Sequence, residues 1–536
     1  MCTDSESQGI RKGDESVISK AEVDTTVVSE YGDNKECDFE AARKSSSATP
    51  RFSLLQCLSL SQVKEEIGWL AKTVSPIIVT CLIMYSRSAV SIIFLGRQGK
   101  VELAGGSLGL GFANITAHSV LKGLTMGMDP ICSQAFGAKQ WPLLTQTFHR
   151  TLFLLLLVSI PISLVWLHIS PLFLWLGQDP QVTHTAQIYL IFSIPEMIAQ
   201  AFLIPLRTFL RSQNLNFPLT LAASVAAIFH IPINYFLAVS LQLGVKGVAL
   251  ATGLNSLNMI LGLLIYLVIS DKPIKPWEAE APIFRGFQSW KPLLRLALHS
   301  CASVCLEWWY YEIMIFLCGL FSNPQTTVAT MGILIQTTGL LYVFPFSLSS
   351  ALATRIGHSI GAGEASRAQC AAIVGVLTAF TFGALAFVFL VSVREFWGKM
   401  FTKETQIVEL VRTTLPLLGL GEIGNWPQTA SCGILSGTSR PNVGARINLC
   451  AFYLIGLPVA VVASFVCDFG FVGLWYGMVA AQMSCFCMMI FAFLPTDWSH
   501  PSLNAHMELA VQEDENGDGD DDLPHQEASL LISRPS

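Results

Sequence analysis

The chain has 536 residues, 52% of them hydrophobic and only 13% charged, with a formal net charge of −6 and a mean hydropathy of +0.53. Soluble domains carry about 25% charged residues; a chain this apolar cannot cover its surface with polar groups, and the surplus must face a lipid bilayer. The charge sits mostly in the two ends and forms no basic stripe, so nucleic acid is not an expected partner.

In chain order, residues 1–68 read as a polar cytoplasmic tail, mostly disordered, and not as a cleavable signal peptide. Twelve apolar runs follow, at about 69–95, 103–127, 152–176, 184–210, 217–240 and 245–270, then 292–320, 326–350, 370–393, 406–435, 443–467 and 471–495. Most have the ~20 residues that a bilayer core of ~30 Å requires. Residues 271–291, with Pro273, Pro276 and Pro282, read as a cytoplasmic linker between an N-lobe (69–270) and a C-lobe (292–495); an acidic tail covers 496–536. With both ends in the cytoplasm, the inside set is Lys139, Arg150, Arg211, Lys272, Lys275, Arg285, Lys291, Arg355, Arg367, Arg440 and Arg446. The outside set is the shorter Arg97, Lys100, Lys246, Arg394, Lys399 and Lys403. The positive-inside rule therefore favours cytoplasmic termini.

An internal repeat organises these spans. At a constant offset of 226, Asn216 falls on Asn442, Pro232 on Pro458, Gly244 on Gly470, Gly247 on Gly473 and, further upstream, Glu196 on Glu422. At an offset of 224, Gly137-Ala138 falls on Gly361-Ala362. Two six-helix halves in the same order are parallel repeats about an axis along the membrane normal, with the solute path expected between them and alternating access by rocking. Prolines inside the spans (Pro76, Pro161, Pro195, Pro232, Pro345, Pro416, Pro458) are candidates for kinks.

Ionisable groups in mid-span cost about 2.5–3.5 kcal/mol on insertion scales and are functional candidates for that reason. The sharpest is Glu307, in the seventh span within Cys305-Leu-Glu-Trp-Trp-Tyr-Tyr311. A carboxylate in low dielectric favours its neutral form, as a proton-exchanging group requires; a glutamate neutralised by a fixed partner for structure is the alternative. Glu422, one turn before Asn425, is a second proton-coupling candidate, with packing or gating as its other reading, and Glu196 is its repeat equivalent. Arg87 either pairs with an intramembrane acid or meets an anionic solute, pairing being the simpler expectation. Trp308 and Trp309 beside Glu307, together with Tyr85, Arg87, Glu196, Gln336 and Asn425, form the expected solute path. Four consecutive aromatics point all round a helix, so packing and interface anchoring must account for half of them.

Most of the 14 cysteines lie inside apolar runs, without CxxC or zinc spacing, and no nucleotide-binding loop is present; no metal or cofactor is expected. The acidic run Asp514–Gly519 opens like a calcium loop without its flanking helices. Glu527 to Ile532 fits an acidic dileucine pattern, which makes sorting adaptors possible partners and a vacuolar or post-Golgi membrane a destination beside the plasma membrane.

The strings Leu103-Ala-Gly-Gly-Ser-Leu, Met126-Gly-Met-Asp-Pro-Ile-Cys-Ser-Gln-Ala-Phe-Gly-Ala-Lys139, Cys305-Leu-Glu-Trp-Trp309, Gly332-Ile-Leu-Ile-Gln336 and Gly433-Ile-Leu-Ser-Gly-Thr-Ser-Arg-Pro441 together carry a family resemblance. Over about residues 65–497 the chain resembles the plant multidrug and toxic compound extrusion (MATE) transporters, also called the DETOXIFICATION family. The resemblance implies an all-α, V-shaped, two-lobe fold of twelve spans, no enzymatic activity, and secondary active efflux of small organic solutes driven by protons. The wider family's solutes include alkaloids, flavonoids, xenobiotics and hormones such as abscisic acid. It further implies that Glu307 is the proton-accepting glutamate of the seventh helix. Many relatives have an aspartate where Asn425 stands, a proline at His299 and an arginine at Ser436; these departures bear on substrate choice and gating. The short loop after the second span does not resemble the citrate-exporting branch. A lipid-type flippase of similar architecture and a membrane scaffold or signalling partner are the other functional classes, the intramembrane acids counting against the scaffold.

Overall fold

The computed structural model describes residues 59–269, 290–493 and 498. Among the described residues all regular structure is helical. We number the twelve long helical runs α1 (Leu60–Gln98), α2 (Lys100–Ala113, Asn114–His118, Ser119–Met126 and Met128–Gly137), α3 (Trp141–Leu167), α4 (Pro180–Ser212), α5 (Asn216–Asn234 and Tyr235–Ser240), α6 (Val245–Ile269), α7 (Lys291–Cys318), α8 (Pro324–Gly361), α9 (Ala365–Trp397), α10 (Thr405–Gly437), α11 (Pro441–Asn448, Leu449–Gly456, Leu457–Val461 and Val462–Val466) and α12 (Gly470–Phe493). Ten of these are long and apolar enough to cross a membrane. The other two are α2, which is broken near Gly127 and carries Lys122 and Asp129, and α10, which buries Glu422, Asn425 and Gln428. Their polar residues turn inward, while large apolar side chains such as Phe217, Ile228, Leu261, Phe316 and Phe382 are left outside, where lipid would cover them. The linker at 271–289 and the dileucine pattern at 527–532 lie outside the described residues.

Helix starts follow local chemistry. Ser59 caps α1 through a reciprocal pair: its hydroxyl accepts from the Gln62 backbone N–H and the Gln62 side chain accepts from the Ser59 N–H, each at 3.3 Å. Residues 60–68, expected as tail, are therefore helix. Asp179 caps α4, its carboxylate accepting from Gln181 N–H at 2.8 Å and Val182 N–H at 3.2 Å, with Pro180 at the first helical position.

The repeat is visible in the backbone. The π-helical segment Tyr235–Ser240 falls on Val462–Val466 at the 226 offset, each just beyond the matched prolines Pro232 and Pro458. The turns that follow also match: Gln242 and Asp468 have φ of 51° and 56°, and Gly244 and Gly470 both have 57°. Gly247 and Gly473 let the following helix press on this widened turn. A Cβ at Gly247 would lie 2.7 Å from the Leu237 backbone, and one at Gly473 2.6 Å from the Ser464 nitrogen. Backbone cannot move aside as a side chain can, so Gly247→Ala and Gly473→Ala should each cost about 1–3 kcal/mol. Thermal unfolding in detergent reads this loss, with Gly332→Ala, where a Cβ meets open space, as the unaffected control.

Two helices depart from a clean division into halves. In α1, Leu70 and Ile77 pack with Leu348, Ile356 and Trp426 of the second half, whereas Leu95 packs with Tyr189 and Val248 of the first. In α7, Ala297 packs with Leu121 and Leu124 of the first half, whereas Tyr310 and Met314 join the core of the second. Each half thus lends the start of its first helix to the other, and the surface between the halves is built from these exchanged segments.

Candidate functional site

A cavity of about 410 Å³ opens between α1, α2 and α4 on one side and α7, α8 and α10 on the other. The first wall is charged: Arg87 of α1, Lys122 and Asp129 of α2, and Arg207 and Arg211 of α4, the last two one helical turn apart. The second wall is aromatic and hydroxylated, with Trp308, Tyr342, Phe346, Ser349 and Ser436. Two of the cations are paired. Arg211 donates to Asp129 at 2.7 Å and to Thr208 at 3.3 Å, and Arg87 donates to Glu196, behind the wall, at 3.0 Å. The Lys122 ammonium lies over the rings of Phe346 (4.0 Å), Trp308 (5.0 Å) and Tyr342 (5.8 Å).

Glu307 sits in a smaller recess of about 50 Å³ that shares Lys122, Met126, Trp308, Tyr342, Phe346, Ser349 and Ser436 with the main cavity. Glu307 is 8% exposed, with its carboxyl within electrostatic reach of Lys122 and beside the Gln428 side chain. Among the described residues it has no ion pair shorter than 4 Å. A buried acid so placed, not locked into a bridge, can take and give up a proton without breaking one.

The family model MatE matches residues 76–236 and again 300–462 of this chain, the same two halves that the repeat defines. The chain belongs to the MATE family. Among its relatives, Protein DETOXIFICATION 53 of Arabidopsis thaliana is 54% identical over 468 residues, 87% of this chain and 96% of that protein. Protein DETOXIFICATION 49 of Arabidopsis thaliana is 50% identical, covering 82% of this chain and 87% of that one. The crystal structure of the eukaryotic MATE transporter AtDTX14 superposes with a TM-score of 0.79 at 28% identity, covering 84% of this chain and all of that one. The fold is that of MATE efflux transporters, and members of the family are transporters, not enzymes.

On this MATE scaffold the sequence candidates separate. Arg87, Tyr85 and Trp308 line the main cavity and Glu307 the recess. Glu196, Glu422, Asn425, Trp309 and Gln336 line neither. Glu196 is closed off by Arg87 and by the Thr252 hydroxyl, which donates to it at 2.8 Å. Glu422 accepts from the Asn425 amide at 2.9 Å and from the Trp426 indole N–H at 3.0 Å. Tyr85 donates to Gln336 Oε1 at 2.6 Å, a bond from one half to the other at the cavity edge. Of the four consecutive aromatics, Trp308 faces the cavity, Tyr310 is in the core, and Trp309 is 42% exposed, bonded to the Ile115 carbonyl at 3.4 Å. Lys122, Asp129, Arg207 and His118 also line the cavity and were not singled out from the sequence. Lys122 and Arg207 stand inside apolar runs just as Arg87 does, so the rule that marks intramembrane charges reaches them equally.

One end of the surface between the MATE halves is closed by backbone contact. Side chains at Gly137, Gly357 and Gly361 would overlap His358, Ser133 and the Gln134 carbonyl of the opposite half. Gln134 donates to the Gly437 carbonyl at 2.7 Å and to Ser439 at 3.1 Å, Phe136 stacks on His358 at 4.7 Å, and His358 Nε2 lies 2.6 Å from the Ser212 carbonyl. Arg355 of α8 donates through Nε to Glu66 of α1 at 2.8 Å and also through Nη2, with Trp69 over its guanidinium. Gly361→Val should hold this end apart. Labelling of Cys81 in the cavity by a membrane-impermeant maleimide added from that side, followed by peptide mass spectrometry, should rise severalfold; unchanged labelling would show that this crossing is not the barrier.

Proposed function

We propose that the chain exports small organic solutes in exchange for protons by alternating access, with Glu307 as the proton carrier. The observation that carries this reading is the position of Glu307: buried, unbridged, and in a recess that shares seven of its lining residues with the cavity between the halves. Solute binds in the main cavity while one end is open. A proton arriving at Glu307 removes its charge and changes its bonding to Gln428 and its attraction to Lys122. Those residues stand on α7, α10 and α2, so the change acts on the surface across which the halves move. Glu422, held by two donors and outside both cavities, fits a packing role better than a second proton site.

The closed end carries Lys139, Arg211, Arg355, Arg367 and Arg440, which supports placing it, the linker and both termini in the cytoplasm. In that orientation the closed end of the described conformation is the cytoplasmic one. We place the chain in the vacuolar or a post-Golgi membrane, or the plasma membrane. The deciding experiment is solute flux in proteoliposomes with and without an imposed pH gradient. Flux indifferent to the gradient would sink the exchange.

A further inference from the structure

We propose that the cavity selects organic anions, namely aromatic solutes bearing one carboxylate, which bridges Arg207 and Lys122 while the ring lies on the aromatic wall. The inference rests on the exporter reading and assigns its solute class.

The cavity carries an excess of positive charge. Four basic residues line the cavity, Arg87, Lys122, Arg207 and Arg211, against one acid, Asp129. Arg211 is neutralised by Asp129 and Arg87 by Glu196. The Arg207 side chain has no hydrogen bond and no ion pair among the described residues; within its electrostatic reach are the Cys81 thiol and two further arginines, Arg211 and Arg87. Lys122 has Glu307 within electrostatic reach but no ion pair among the described residues. An uncompensated guanidinium in a membrane-embedded cavity is costly, and a protein keeps one where something anionic arrives to meet it. A guanidinium offers a carboxylate two parallel N–H donors, the geometry suited to this task.

The opposite wall settles what the rest of the solute looks like. Trp308, Tyr342 and Phe346 present ring faces, a surface that in other pockets holds organic cations. Here that place is already occupied: the Lys122 ammonium, tethered to α2, lies over all three rings. A solute cation would have to displace Lys122 and then sit beside Arg207. A solute anion draws Lys122 toward itself, frees the rings and covers them with its own aromatic part. At the 224 offset Lys122 corresponds to Phe346, so the repeat itself has diverged into a cationic face and an aromatic face.

One consequence concerns coupling. Protonating Glu307 removes a negative charge within electrostatic reach of Lys122 and makes the cavity more attractive to an anion, not less. Proton and anion therefore do not compete for one carboxylate, and exchange requires that the halves move with either one bound but not with both.

The test is equilibrium binding to the purified full chain in lipid nanodiscs, with three probes of one ring system: 2-naphthoate, its methyl ester, and 2-naphthyltrimethylammonium. The carboxylate should bind at least tenfold more tightly than the ester, and the ammonium more weakly than either. Arg207→Gln should abolish the advantage of the carboxylate over the ester, Lys122→Met should reduce it, and Arg207→Lys should restore part of it. Equal binding of acid and ester, tightest binding of the ammonium, failure of the carboxylate to bind, or an unchanged preference in Arg207→Gln overturns the proposal. If the variants fold poorly, the ranking of the three probes on the unaltered chain still decides. No proton gradient enters this measurement. Anion-selective binding without gradient-driven flux sinks the exchange mechanism alone; gradient-driven flux of the ammonium sinks the anion site alone.

Discussion

Glu307→Gln should reduce gradient-driven solute flux to the level of empty liposomes while leaving the protein folded and able to bind solute. Glutamine keeps the shape and the hydrogen-bonding reach of a protonated carboxyl but cannot release a proton. The neighbours in the recess, Gln428 and Ser436 among them, meet an amide where they would meet a neutral acid, so packing is retained. Lys122 loses a negative charge within its electrostatic reach and keeps its three rings. The substitution therefore holds the chain in the proton-loaded condition, where the imposed gradient has nothing to act on. Flux should fall by tenfold or more, with thermal stability unchanged or slightly raised, because an acid no longer has to be buried there. Glu307→Asp is the informative companion: it can still titrate, and should recover part of the flux with its carboxyl drawn back from Gln428. Retained gradient-driven transport in Glu307→Gln would move the coupling elsewhere, and Glu422→Gln would then be the next variant to measure.

Much of this arrangement is legible in the sequence, and the parts that are not fail for identifiable reasons. Hydropathy marks ten of the runs because a bilayer imposes similar length and composition on each, while α2 and α10 are diluted by the polar residues they turn inward. The repeat is read from a handful of residues, and the backbone explains why those ones persist: Gly247 and Gly473 stand where the next helix touches a widened turn, and Pro232 and Pro458 stand just before that turn. The start of α1 is misread as tail because Lys64, Glu65 and Glu66 are polar; yet Glu66 is buried, satisfied by Arg355 from the other half. No local pattern reveals a partner nearly three hundred positions away. The exchange of helix starts between the halves is hidden for the same reason, since apolar residues facing lipid, the home half or the opposite half look alike. Trp308 and Trp309 show the limit most directly. They are adjacent and identical, and only the rotation of α7 puts one in the cavity and the other on the outside.

Arg87 and Glu196 give the largest expected effect on stability. The pair is buried inside the first half, with the arginine donating to one carboxylate oxygen and Thr252 to the other. Arg87→Met leaves Glu196 with a single hydroxyl donor in low dielectric, which costs about 3–5 kcal/mol, the usual penalty for stranding one member of a buried pair. Glu196→Met strands the arginine, although Arg87 borders the cavity and retains water there, so the loss should be smaller. The double substitution removes both charges and should recover most of the stability, since apolar replacement of a buried pair is often neutral or better. Unfolding of the four proteins in detergent supplies the cycle, and additive losses would show that the two residues do not depend on one another. The double variant then separates the two roles open to Arg87. A stable double variant with normal flux makes Arg87 a partner for Glu196 and nothing more. A stable double variant that has lost solute binding makes its face toward the cavity part of the site. The repeat supplies an internal comparison, because Glu422 meets the same problem with an amide and an indole, not a cation. Neutralising Glu422 to glutamine keeps an acceptor for both donors and strands no charge, so it should cost far less than Arg87→Met.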